Sequence, residues 1–186
     1  GTQVESPVAD WPMKRAWVGY AFDELSAVGY SISSGYTMVR DKSKISFSYR
    51  DNLWKGSDLL ATGIASFGHV SGVHYQNKSD WEGYINSLSN DSQLPLSRAL
   101  RATAHQLLIR EMILQLKRGY LETEYFQDKF KVNILEHWKD QWEEYQDRKL
   151  LAINADRIEL TREGLLQVDG LLPAFFEKEH QGVRYT

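Results

Sequence analysis

The sequence predicts an α+β fold: a small, mostly antiparallel sheet with flanking helices over residues 1–92, then a winged-helix-like helical unit over 93–186. Three observations carry this. Ile45, Phe47 and Tyr49 alternate with Ser46 and Ser48, the period of a strand with one wet face. Leu59 to Ser66 is a short apolar run, which reads as a buried strand. Beyond residue 100 the apolar positions recur at helical spacing, with helix-start signals in front of them.

Taken in order, residues 1–12 show no periodicity and hold Pro7 and Pro12, a loose lead-in. Met13 to Val28 reads as a helix with Trp17, Phe22, Leu25 and Val28 toward one face, and Gly29 as its stop. Tyr30 to Arg40 and Ile45 to Arg50 are expected as two strands of a hairpin, joined by the polar connector Asp41 to Lys44. Leu59 to Ser66 follows as a third strand, and Phe67 to Asn77 as a glycine-rich loop carrying aromatic, imidazole and amide groups. Asp80 to Leu88 is a short helix with Trp81, Tyr84, Ile85 and Leu88 at helical spacing. Ser89 to Ser97, rich in Ser, Asn and Asp and containing Pro95, is the expected domain boundary.

In the second half, Thr103 and Gln106 have the spacing of a capping box before Leu108, Ile109, Met112, Ile113 and Leu116. Gly119 ends that helix. Leu121 to Phe130 is a second helix, and Asn133 with Glu136 opens a third that runs to Lys149. Asn154-Ala155-Asp156 joins the strands 150–153 and 157–160 as a hairpin. Thr161 caps a last helix, with kinks expected at Gly170 and Pro173.

Bulk composition narrows the function classes. The chain has 186 residues, 42% hydrophobic and 25% charged, enough to fill a core. A net charge of -3 is not the footprint of a general nucleic-acid binder. On the third helix Glu136, Asp140, Glu143, Glu144 and Asp147 would face phosphates with repulsion, so no nucleic-acid partner is expected. No apolar run reaches the ~20 residues of a membrane span. No signal-peptide pattern is seen, and a cytoplasmic location is expected. With no cysteine, the chain has no disulfide, no thiolate nucleophile and no thiolate ligands for zinc or an iron–sulfur cluster. His69 and His74 form a pair that could be read as a metal site, but no third ligand lies at a recognisable spacing, so a structural role is expected.

The stretch from Asp58 to Asn77 resembles the end of the barrel in oxygen-independent coproporphyrinogen III oxidases, which are radical S-adenosylmethionine enzymes. Asp58, Leu59, Leu60, Gly63, Ser66, Tyr75 and Asn77 fit the pattern of that family; Ala61 departs from it, standing where glycine is usual. Tyr49 to Trp54 resembles the haem-utilisation branch, and the resemblance extends to about Phe176. It implies the end of a partial barrel followed by the family's small C-terminal domain. The family's C-x-x-x-C-x-x-C motif is absent, so the chain looks like the C-terminal part of such an enzyme, inactive alone.

The resemblance implies S-adenosylmethionine and a [4Fe–4S] cluster as cofactors of the full-length protein, and coproporphyrinogen or haem as its tetrapyrrole substrate. It places Phe67, Gly63 and Ser66 on the cofactor side of the pocket. Trp54 and Tyr75 belong to an aromatic group, with Phe67 and Trp81, that could form a flat apolar surface for a tetrapyrrole or simply pack sheet against helix. Arg50 is the candidate partner of a propionate, because a guanidinium fits a carboxylate with two parallel hydrogen bonds. Arg110-Glu111 resembles a family pair expected to be structural. A sheet edge left open offers a route to an oligomer. A porphyrin-binding module without turnover and a winged-helix interaction domain remain as alternatives.

Overall fold

The computed structural model describes residues 9–89 and 93–181. Helices alternate with short antiparallel strands, and no closed barrel forms among the described residues. The chain divides into two compact units: 1–46 with 116–186, and 47–115. The division is therefore not the consecutive 1–92 and 93–186. Strand β5 (Leu96–Arg101), past the expected boundary, pairs with β4 (Val73–Asn77) before it.

In the first unit, α1 (Trp11–Ala27) starts where the Asp10 carboxylate accepts from the Met13 N–H at 2.8 Å. Arg162 ties it to the end of the chain, donating to the Gly19 carbonyl at 2.8 Å and pairing with Asp23 at 2.7 Å. The segment expected as one strand from Tyr30 to Arg40 is itself a hairpin, β1 (Ser31–Ser34) and β2 (Thr37–Val39). It turns early because the Gly35 N–H is taken by the Lys117 carbonyl, at 2.9 Å. The expected connector at Asp41 is a local turn, in which the Asp41 carboxylate accepts from the Ser43 N–H and hydroxyl.

The rest of this unit follows the predicted order with finer breaks. Strand β6 (Tyr120–Glu122) takes the first residues of the expected second helix, leaving α5 (Thr123–Phe130). The expected third helix is two, α6 (Ile134–His137) and α7 (Lys139–Asp147). At the break the Ile134 carbonyl accepts from the Trp142 indole N–H at 2.8 Å. The hairpin β7 (Leu151–Asn154) and β8 (Arg157–Leu160) forms as expected, and β6 adds to it in the order β6-β8-β7. Thr161 caps α8 (Arg162–Leu166), but the break before α9 (Val168–Leu171) falls at Gln167 and not at Gly170. Trp142, Phe126, Phe175, Leu121, Ile134 and Ile158 are fully buried, and Phe175 packs against Trp138, Trp142 and Tyr145. This core is largely apolar and aromatic.

The second unit departs most from expectation. Ile45 to Arg50 is not a strand: residues 48–54 form helix α2 (Ser48–Trp54). The alternation covers only three apolar positions, and Ile45 and Tyr49 are exposed, so it buries no face. Helical spacing instead sets Arg50 over the Trp54 ring four residues on. Leu59 to Ser66 is not a buried strand either. It is irregular, with Leu60 78% exposed and only Leu59 bridging, to His69. Positive φ at Gly63 (95°) and Ala65 (56°) is incompatible with extended backbone.

The expected loop is where the sheet lies. β3 (Phe67–Val70) and β4 form a hairpin through Ser71 and Gly72, both at positive φ, the two-residue turn that matches strand twist. Then come α3 (Trp81–Ser89), β5 and α4 (Ala104–Leu116). Helix α4 starts on the predicted capping box: Gln106 N–H donates to the Thr103 hydroxyl and Thr103 N–H to the Gln106 side-chain carbonyl.

Candidate functional site

Strand pairing in the second unit sorts the chemistry onto two faces of one sheet. Directly opposed residues point the same way. Gly68 opposes Tyr75, and Asn77 follows Tyr75 by two, so these share one face. Phe67 with Gln76, and His69 with His74, share the other, continued onto β5 by Leu100 and Arg98.

The irregular segment 58–66 keeps backbone bonds only at its ends, Leu59 with His69 and Ala65 and Ser66 with Lys78 and Asn77, and side chains of the first face hold the rest. Tyr75 lies flat over Gly68, whose missing side chain leaves room for the ring. Its hydroxyl accepts from the Ala61 N–H at 2.9 Å. The buried Asn77 amide donates to the carbonyls of Ala61 (3.3 Å) and Gly63 (3.0 Å), and the Tyr84 hydroxyl accepts from Gly63 N–H at 3.0 Å. The Asp58 carboxylate accepts from the Ser71 N–H at 2.8 Å, closing the segment's start onto the hairpin turn. The Ser66 hydroxyl donates to the Thr62 carbonyl at 2.7 Å. Each of these bonds satisfies backbone that no neighbouring strand reaches. The motif residues Asp58, Gly63, Ser66, Tyr75 and Asn77 thus shape a loop.

The second face is different. Phe67 is 49% exposed and stacks on His74, ring centroids 5.6 Å apart and planes within 10°. His69 is only 3% exposed, its ring 6.2 Å from that of His74, and its Nδ1 has no hydrogen-bond partner. Both imidazoles are held below the ordinary 6.5, first by burial and then by the Arg110 guanidinium. The pair is therefore a cross-strand contact beside a cation, a poor setting for a metal ion.

Of the six residues singled out in the sequence, Phe67 alone lies exposed on the second face; Gly63, Ser66 and Tyr75 build the loop on the first. Phe67 and Tyr75 are on opposite sides of the sheet. Arg50 and Trp54 lie together on α2, where the Arg50 guanidinium stands over Phe47 (4.6 Å) and Trp54 (5.2 Å) and its Nε donates to Asp51 at 2.8 Å. Trp81 is exposed at the start of α3. Sequence reasoning passed over Arg98, His74 and Leu100 as one surface. The signal was the Ser-Gly pair between two alternating runs, which marks a hairpin and so sets the register.

No family model matches the sequence, and no curated protein matches it. A solved structure is similar: coproporphyrinogen III oxidase (HemN) from Escherichia coli, described as a radical SAM enzyme. The TM-score is 0.71 at 16% sequence identity, over 92% of this chain and 42% of that one. The likeness is one of fold, and this chain spans less than half of that protein's length.

Proposed function

We propose that this chain is the C-terminal portion of a coproporphyrinogen oxidase-like protein of tetrapyrrole metabolism, in the haem-utilisation branch. The fold likeness to HemN over 92% of the chain carries the reading, and the motif from Asp58 to Asn77 agrees with it. In the full-length protein S-adenosylmethionine and a [4Fe–4S] cluster would supply the radical. This chain has no thiolate to hold that cluster, so no radical step is derived from its residues.

Its part is to wall and cover the pocket. The loop 58–66, pinned by Tyr75 and Asn77, fixes the wall and carries Gly63 and Ser66 on the cofactor side, while Phe67, next in the chain, stands on the opposite face of the sheet. Arg50, Trp54 and Tyr75 belong to the substrate side. The helices and hairpin of 120–176 make up the full-length protein's winged-helix-like C-terminal domain. The test is a titration of the purified chain with haemin and with coproporphyrin III, followed at the Soret band and repeated on Arg50→Ala. Saturable binding is expected, weakened in the variant. Absence of binding to both removes the tetrapyrrole surface from these residues.

A further inference from the structure

The second face of the β3–β4–β5 sheet carries Arg98 and lies beside Arg110 of α4, whose charge the neighbouring Glu111 offsets only in part. Arg98 donates its Nε to the side-chain carbonyl of Gln76, a neutral group, at 2.8 Å. Arg110 leaves Nη1 buried and without a hydrogen-bond partner. Neither has a carboxylate within ion-pair distance among the described residues. Helix α4, which carries Arg110, returns onto the same hairpin: Leu107 lies 3.8 Å from where a side chain on Gly72 would begin. Buried donors are normally satisfied, so the unpartnered Arg110 Nη1 marks a place where an acceptor is missing. On this face of the sheet stand the half-exposed Phe67 and Leu100, the latter 58% exposed and directly opposite His74.

We propose that this face binds planar aromatic carboxylates, with the ring system on Phe67, His74 and Leu100 and the carboxylate on Arg98 and Arg110. The stacked Phe67 and His74 rings supply a flat apolar support. A guanidinium offers paired donors that match a carboxylate's two oxygens. The Asp58 carboxylate already accepts from Ser71, and Glu111, buried on α4, stands beside Arg110 without an ion pair to it. Tetrapyrroles with propionates are one member of this ligand class, so the site does not depend on the function proposed above.

The probe is 1-pyrenebutyrate, followed by its fluorescence, with 1-pyrenebutanol as the ligand that keeps the ring and lacks the charge. The full chain is expected to bind the acid at least about tenfold more tightly than the alcohol, the scale of one charge-assisted hydrogen bond. Arg98→Gln, an exposed substitution, is expected to erase most of that preference, and Phe67→Ala to weaken both ligands. Arg110→Gln is read only if its circular dichroism matches the parent. Equal affinity for acid and alcohol, or a preference that survives Arg98→Gln, overturns the proposal. Coproporphyrin III binding that ignores Arg98→Gln overturns this site and leaves the tetrapyrrole reading standing. Pyrenebutyrate bound through Arg98 with no coproporphyrin bound does the reverse.

Discussion

The two units are stabilised by different means. The first is filled with Trp142, Phe126, Phe175 and Ile158, side chains that need little beyond exclusion of water. Among the described residues, the second buries His69, Asn77, Ser87, Glu111 and Gln115, and the first buries Ser34. Burying polar groups is costly unless they are paired. Asn77 and Ser87 are paired, and they set the loop 58–66 and anchor Lys78. His69, Arg110 and Gln115 each keep an unpartnered nitrogen, and in the first unit so does Arg157, at Nε. A largely apolar core makes a scaffold; the unit richer in unmet polar atoms is where a ligand gains more by arriving.

That contrast can be broken first at its strongest point. Trp142→Ala should cost about 3–5 kcal/mol in denaturant unfolding, because it empties the aromatic core and removes the indole hydrogen bond to the Ile134 carbonyl. A loss under about 1 kcal/mol would mean that the first unit is not organised around this ring. Asn77→Ala should cost less, about 1–3 kcal/mol, since it strands the Ala61 and Gly63 carbonyls. Its signature is local: amide exchange should quicken over 58–66 and stay unchanged over 151–160. Equal quickening in both places would deny that Asn77 acts as a clamp.

The smallest effect is pH dependence. Burial, then Arg110, hold His69 and His74 below 6.5; Arg98 adds to this at His74, while Asp58 and Glu111 oppose it at His69. The unfolded chain therefore takes up protons first as pH falls through about 6.5. Stability is full above that value and is lost toward the lower folded pKa values. Melting temperature should drop from pH 7.5 to pH 5.5, and His74→Gln should drop less. An identical drop in parent and variant would assign the effect to other groups.

How much of this was legible in the sequence follows the same divide. The capping box at Thr103, the cap at Thr161 and the hairpin at Asn154 were readable because each is a local contact between near neighbours. The second unit was misread where structure depends on distant side chains. The apolar run 59–66 resembles a strand until Tyr75, Asn77 and Tyr84 take its backbone bonds. The residues at the loop were found, and what the sequence did not reveal is that the Tyr75 hydroxyl serves the Ala61 amide. The cationic face was hidden because β5 joins it only through tertiary pairing.

Hydrogen exchange with and without saturating coproporphyrin III tests most directly whether ligand binding belongs to the polar unit. Exchange should slow over 67–76 and 96–101 and stay unchanged over 120–160. Slowing confined to 120–160, or no change anywhere, would contradict the account.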